Sequence, residues 1–303
     1  MKQFDPIENM IFNGITGSRL YGTFLPDSDY DYRGVTLPPL EVLLNPFENF
    51  EQKDSGFEEE DRVIYSLAQF FKLCANANPN ITEILFIPES HWLHCDDKWL
   101  QVLENRNLFL SNKAKFCFAG YSISQFNKIK RHRRYFVNPL DHKPTRKEFG
   151  LTDQPTISGD GLQAVANISK DLLNPKFVDE IYRELNYRQA MKEWHDFISW
   201  RDSRNPRRKR LEEAYGYDCI SASHLVRLMS EGEELLLTGH ITFPLPNAEH
   251  ILEIKLGKYS YERVVEIAED MDNNFNNWLS NSVLSKAPNR NKLSELYFDL
   301  IKQ

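Results

Sequence analysis

The feature that most constrains the fold is a Gly17-Ser18 pair that stands about ten residues before an Asp29-x-Asp31 pair. The apolar run from Met10 predicts a strand that leads into the Gly-Ser turn, where a short helix begins. The alternation from Asp29 to Leu37 predicts a second strand. Because residues two apart on a strand face the same side, Asp29 and Asp31 are expected to point together.

This arrangement suits the chemistry of a metal-bound phosphate chain. Paired carboxylates are hard oxygen ligands of the kind that Mg²⁺ or Mn²⁺ takes, and two ions are expected here. Gly17 allows a close backbone approach, Ser18 adds a hydroxyl and helix-terminal amides, and Arg19 adds a charged donor for phosphate. An Asp-x-Asp alone is commonplace on solvated strands, so it is the combination, in this order, that favours a catalytic site.

The same residues carry a family resemblance. Gly17-Ser18, the spacer and Asp29-x-Asp31 resemble the signature of the DNA polymerase beta-like nucleotidyltransferase superfamily. The longer pattern Gly-Ser-x-x-Tyr-Gly, ending in Ser-Asp-x-Asp-x-Arg-Gly, resembles the RNA-repair-associated group of predicted nucleotidyltransferases within it. The resemblance implies transfer of NMP from an NTP to a hydroxyl acceptor, most simply an RNA (tRNA) 3′ end, with release of pyrophosphate.

Later segments extend the resemblance over most of the chain. Residues 78–86 resemble that group's Asn-Pro-Asn…Glu-Leu-Leu segment, and Tyr217-Asp218, followed by residues 224–228, resembles its C-terminal helix motif. His224 and Arg227 are three apart on that predicted helix, so they share a face, and the resemblance implies a nucleotide contact for both. The chain has Ile220-Ser221-Ala222 where the family often has Lys-His-Ala, which leaves the choice of substrate open.

The superfamily also implies a third metal-binding carboxylate on a neighbouring strand. Asp61 is our prediction, because it opens the strand predicted over 61–67. Glu59 and Glu60 compete for the role, and an acidic turn is the alternative for these glutamates. Asp29, Asp31 and Asp61 are thus the expected catalytic and metal-binding residues.

The coarse pattern along the chain indicates an α+β protein. Short strand-like runs fill the front, which predicts a catalytic nucleotidyltransferase domain over residues 1–110 with a mixed sheet and flanking helices. Long stretches of helical periodicity follow, which predict a helical substrate- or acceptor-binding domain over 111–303.

Charge is unevenly distributed over a chain whose net charge is −7. Two basic runs, at 128–134 and 201–210, predict contacts with nucleic acid phosphates, although a solvated charged face is the common alternative. The nucleic-acid-binding candidates are Lys130, Arg131, Arg133, Arg134, Arg204, Arg207 and Arg208.

The remaining sequence features bound the class of protein. Hydrophobic residues make up 41% of the chain, enough for a sizeable core, but no stretch has the apolar length that spans a bilayer. The four scattered cysteines form no zinc or disulfide pattern, which favours a cytoplasmic protein. Two alternatives to transfer onto RNA remain open. The acceptor could be a protein or a small molecule, or the chain could be an inactive module that only binds nucleotide or nucleic acid.

Overall fold

The computed structural model describes residues 4–47, 50–54, 61–155, 157–159, 161–162 and 174–303, with only the backbone at 207, 275 and 276. The strands are β1 Met10–Thr16, β2 Asp31–Thr36, β3 Gln52–Asp54, β4 Asp61–Ser66 and β5 Trp92–Cys95. The helices are α1 Gly17–Tyr21, α2 Leu40–Leu43, α3 Leu67–Ala75, α4 Pro79–Thr82, α5 Asp97–Glu104, α6 Lys113–Val137, α7 Pro175–Ser203, α8 Pro206–Tyr215, α9 Cys219–Thr238, α10 Ala248–Lys255, α11 Tyr261–Ser280 and α12 Arg290–Lys302.

The strands form one mixed sheet in the order β3-β4-β2-β1-β5. β2 runs antiparallel to β1 and parallel to β4, and the outer strands β3 and β5 are antiparallel to their neighbours. Because β2 and β4 are parallel, their first residues meet at the same end of the sheet, where β1 ends. A mixed sheet at the front and helices behind it confirm the predicted α+β class.

The sheet is held by aromatic side chains of the helices that follow it. Phe12 of β1 stacks on Trp99 of α5 with ring centroids 4.5 Å apart, and Phe70 of α3 meets Trp99 edge-on at 5.1 Å. All three side chains are completely buried. Aromatic residues bury large apolar areas, so this cluster fixes the two helices against the sheet.

The described chain divides into two compact units. Unit 1 contains Met1–Ile129 together with Cys219–Gln303, and unit 2 contains Lys130–Asp218. The C-terminal part of the chain therefore returns to the unit that contains the sheet, and the Leu245 amide, in the loop before α10, donates to the Tyr21 carbonyl of α1 at 3.2 Å. The functional division near residue 110 stays a prediction. Across the described ranges, each helix is too short or too polar to cross a bilayer.

One boundary differs from the strand predicted over 29–37. β2 begins at Asp31, so Asp29 lies in the loop before it. Asp31 pairs with Thr16, the last residue of β1, and the chain turns into α1 at Gly17. The prediction that Asp29 belongs to the strand is therefore wrong, and the strand begins two residues later than predicted.

Candidate active site

Two carboxylates stand side by side where β2 and β4 begin. Asp31 and Asp61 are register partners in the parallel pair, and their side chains share a hydrogen bond. Partner residues of neighbouring strands project from the same face of a sheet, which brings the two side chains together. The charge of Asp61 therefore acts directly on the carboxyl group of Asp31.

The environment of the pair opposes a second negative charge. Burial and the charge of Asp61 raise the pKa of Asp31 from 3.8 to about 6, while Arg33 acts in the opposite direction and Asp29 adds a smaller rise. Burial disfavours a charged carboxylate, and so does a like charge nearby. Asp29 therefore lies within electrostatic reach of Asp31, although it is exposed and outside the strand.

Gly17 packs directly against this pair at the end of β1. Its φ is +65°, and a Cβ added there would stand 1.7 Å from Oδ2 of Asp31. Only glycine fits, because it tolerates this backbone conformation and leaves room for the carboxylate. Ser18, half-buried, follows in the first turn of α1. The turn and the carboxylates predicted to act together are thus adjacent.

Two arginines flank the pair in different ways. Nη1 of Arg33 lies 3.4 Å from Oδ1 of Asp61, a single long contact. Nη2 of Arg19 donates to the carbonyl of Ser28 at 2.7 Å, and its guanidinium lies 3.6 Å from the centroid of the Tyr30 ring. Arg19 therefore fastens the loop that carries Asp29 to α1. Its predicted contact with a triphosphate stays a prediction.

Arg227 lies in a buried network rather than at an open surface. It is 6% exposed, and Nη1 donates to Glu83 at 3.2 Å and to Glu231 at 2.9 Å. The hydroxyl of Tyr21 donates to both carboxylate oxygens of Glu83, at 3.0 and 2.9 Å. Burial alone lowers the pKa of Arg227, but Glu231, Tyr21 and Glu83 raise it above its ordinary value. His224 is half-buried on the same helix, and the nucleotide contact of both residues stays a prediction.

Most of the predicted nucleic-acid-binding residues lie in unit 2 and are engaged within it. Arg204 pairs with Glu212 at 3.1 Å and Arg208 with Asp218 at 2.9 Å. Arg133 donates to the Gly216 carbonyl, and Arg134 pairs with Glu193. Lys130 and Arg131 are exposed, and the side chain of Arg207 lies outside the described residues. Glu59 and Glu60 also lie outside them.

A second group of possible metal ligands lies in unit 2. His132, Glu212 and Asp218 place one ligand atom each within 4.8 Å of the others. Both carboxylates already accept from arginines, so their charge is balanced within the protein. Asp29, Asp31 and Asp61 lie near Arg33, whose contact with Asp61 is long at 3.4 Å, so these three described carboxylates outnumber that cation. That donor set fits a hard divalent cation better.

The structure gives a role in the buried network to two residues for which the sequence analysis named none. Tyr21 belongs to the Gly-Ser-x-x-Tyr-Gly pattern and Glu83 to the segment at 78–86, and both meet Arg227 of the third quoted segment. The sequence did hold a signal for this network, because each of the three segments that carry the family resemblance contributes one of its residues. Glu231, one turn beyond Arg227, carried no signal of its own.

A mixed sheet that presents two neighbouring carboxylates beside a Gly-Ser turn is the arrangement expected of polymerase beta-like nucleotidyltransferases. Residues 2–141 match the family described as "RNA repair pathway DNA polymerase beta family" (RlaP). This match confirms the predicted likeness to the polymerase beta-like nucleotidyltransferase group that is associated with RNA repair.

One curated relative is similar along most of both chains. It is an uncharacterized 38.9 kDa protein in the nrdC-mobD intergenic region of Enterobacteria phage T4. The two sequences are 26% identical over an alignment that covers 84% of this chain and 85% of the relative. No solved structure gives a significant match.

Proposed function

We propose that this chain is a metal-dependent nucleotidyltransferase that transfers NMP from an NTP to a hydroxyl of an RNA, with a tRNA 3′ end as the expected acceptor. The observation that carries the proposal is the pairing of Asp31 with Asp61 against Gly17. Two carboxylates and the Gly-Ser turn thus lie at one end of the sheet, and the family match over residues 2–141 supports the same reaction.

The expected cofactor is a pair of Mg²⁺ or Mn²⁺ ions held by Asp29, Asp31 and Asp61. Such ions, when bound, supply positive charge to the oxygens that enter and leave the phosphorus. The donor set supports this assignment, because burial and the neighbouring charge of Asp61 raise the pKa of Asp31, and a bound cation would favour its charged form.

The chain's own residues hold the reactants. Gly17 leaves the backbone open to the triphosphate, and the Ser18 hydroxyl and the first amides of α1 are placed to donate to it. Asp61, whose side chain is 39% exposed, faces the attacking hydroxyl and orients it. The hydroxyl oxygen then bonds to the α-phosphorus, its proton is released, and pyrophosphate leaves with the electrons of the broken bond.

Acceptor identity separates this proposal from two others that use the same fold. The protein is incubated with metal and each α-labelled nucleoside triphosphate, in the presence of RNA, of DNA, or of no acceptor. Label on RNA supports the proposal. Label on the protein or on a small molecule supports the alternative acceptor, and binding of nucleotide without label indicates an inactive module.

The matched control uses the loop before β2. Replacing both Asp29→Asn and Asp31→Asn abolishes labelling, whereas Asp27→Asn, an exposed change in the same loop, retains it. Full activity of the double variant would falsify the assignment of these carboxylates. A cytoplasmic location, favoured by the scattered spacing of the four cysteines along the sequence, is part of the same proposal.

A further inference from the structure

An open groove in unit 1 is separate from the carboxylates described above. It has a volume of about 1120 Å³ and lies where α6 and α12 begin. Its charged lining residues are Lys113, Lys286 and Arg290, and Phe116 is its aromatic residue. None of these four residues belongs to the basic runs in the sequence.

The charge of the groove is opposite to that of the whole chain. Among its described lining residues three are cationic and none is acidic, although the net charge of the chain is −7. The first turns of α6 and α12 also carry no acidic residue. The N-terminus of a helix carries partial positive charge, which acidic side chains of the first turn usually offset. Here two helix N-termini without such acids lie beside three cations, so the surface is suited to bind an anion.

An exposed aromatic ring distinguishes this surface from a simple basic patch. Phe116 is 69% exposed, and the Lys115 ammonium lies 5.7 Å from its ring centroid. A base stacks on such a ring while lysine and arginine track the phosphates, which is how proteins hold single-stranded nucleic acid. An acidic peptide would bind the cations through its carboxylates, but these carboxylates do not stack on the Phe116 ring.

A smaller hollow extends the surface beyond Arg290. It has a volume of about 360 Å³ and is lined by Arg290, Lys72, Tyr297 and Phe298, the last of which is 58% exposed. The two hollows share Arg290, each has an exposed ring, and Lys113 and Lys286 line one while Lys72 lines the other. This arrangement matches a strand of several nucleotides better than a single small anion.

We propose that this groove binds single-stranded RNA, with phosphates at Lys113, Lys286 and Arg290 and a base stacked on Phe116. The choice of RNA as occupant rests on the proposed function. The inference that the groove is a binding site rests on its charge, its exposed aromatic rings and its volume. It lies in unit 1 with the sheet, so acceptor binding is assigned to this unit in addition to the basic residues predicted in unit 2.

The test measures binding without catalysis. A fluorescently labelled, unstructured 12-nucleotide RNA is titrated with the full chain in EDTA and without NTP, over a series of salt concentrations. Lys286→Glu with Arg290→Glu is expected to weaken binding about tenfold or more. The salt dependence should become shallower by about 1.4, because each lost single-strand phosphate contact removes about 0.7 from the slope. Glutamate in the first turn of α12 favours that helix, so the variant is expected to fold.

A second variant separates stacking from charge. Phe116→Ala is expected to weaken binding about fivefold or more with an unchanged salt slope, because the stacking of a base involves no counterion. The matched control, Lys258→Glu with Lys302→Glu, reverses two exposed cations outside the groove and should leave RNA affinity within about twofold.

Two outcomes overturn the proposal. In one, both groove variants bind RNA as the unmodified protein does. In the other, a glutamate-rich peptide displaces the RNA, and its own binding depends on Lys286 and Arg290 but not on Phe116, which assigns the groove to a protein partner. Groove-dependent RNA binding without any nucleotide transfer contradicts the proposed function alone, whereas transfer with groove-independent binding contradicts the groove alone.

Discussion

Two clusters of carboxylates in unit 1 differ in what balances their charge. Glu83 and Glu231 are fully buried around Arg227, whose Nη1 donates to both. Asp31 and Asp61 are register partners at the start of β2 and β4, and Arg33 makes one long contact with Asp61. One arginine therefore bonds to both carboxylates of the buried cluster, whereas Arg33 reaches one carboxylate of the open cluster at 3.4 Å.

The difference teaches how to separate structural from functional acids in this fold. A buried ion pair that is hydrogen-bonded on both sides joins elements, here α1, the turn at Glu83 and α9, and removing one partner leaves a buried charge uncompensated. A half-exposed pair held against a glycine turn without a full counter-charge gains most from an added cation. Perturbed pKa values occur in both clusters, so the pKa alone does not tell them apart.

The largest expected effect concerns catalysis at the open cluster. Asp31→Asn should lower nucleotide transfer about 10³-fold or more, equal to about 4 kcal/mol in the barrier, because it removes a metal ligand. Its free energy of unfolding should stay the same or rise. Turnover of an α-labelled NTP and urea unfolding measure the two effects, with Asp27→Asn as control. A variant that loses stability along with activity contradicts the contrast between the clusters.

The next effect breaks the buried cluster. Arg227→Met should lower the free energy of unfolding by about 3–5 kcal/mol, because Glu83 and Glu231 lose the cation between them. Urea denaturation measures this loss. Arg263→Met, which removes an exposed partner of Glu266, should cost less than about 1 kcal/mol. Equal effects of the two changes would mean that Arg227 is not the centre of the network.

A smaller effect tests one arm of the same network. Tyr21→Phe should lower the free energy of unfolding by about 1.5–3 kcal/mol, the range for a hydrogen bond to a charged group. Burial raises the pKa of Glu83 to about 7, and the Tyr21 hydroxyl acts in the opposite direction, so the pKa should rise further in the variant. Tyr30→Phe, at an exposed ring, is the control and should change stability by less than about 0.5 kcal/mol. If Tyr21→Phe lowers the free energy of unfolding no more than the control does, the hydrogen bond from Tyr21 to Glu83 does not contribute to stability.

The smallest effect is the pH dependence of the open cluster without metal. The pKa of Asp31 is raised in the folded protein, from 3.8 to about 6, so its contribution to stability is present below pH 4 and is lost as pH rises through 6. In EDTA, the melting temperature of the unmodified protein should therefore fall by a few degrees relative to Asp31→Asn between pH 4 and pH 7. Glu83 contributes equally to both proteins, so the difference isolates Asp31.

Added metal sharpens the same comparison. At pH 7.5, Mg²⁺ should raise the melting temperature of the unmodified protein and leave that of Asp31→Asn unchanged, because only a ligand that binds the folded state stabilises it. An equal rise in melting temperature in both proteins would show that the cation binds at a site that does not include Asp31.

Local sequence predicted the secondary structure of the candidate site well. The apolar run at 10–15, the Gly17-Ser18 turn and the strand at 61–67 appear as β1, α1 and β4, because strand periodicity and glycine turns act over a few residues. The start of β2 was two residues off, since a strand's end depends on its partner. β1 ends at Thr16, and the residue of β2 opposite Thr16 is Asp31, so β2 begins there.

The sequence by itself determined the α+β class and the residue types at the site, because both follow from patterns within a few residues of one another. Only the tertiary structure decided that Asp31 lies beside Asp61 and that Tyr21, Glu83 and Arg227 meet in a buried network. The return of residues 219–303 to the sheet is of the same kind. These contacts join residues 30 to 200 or so apart in the chain, and their partners are chosen by packing and charge compensation over the whole unit.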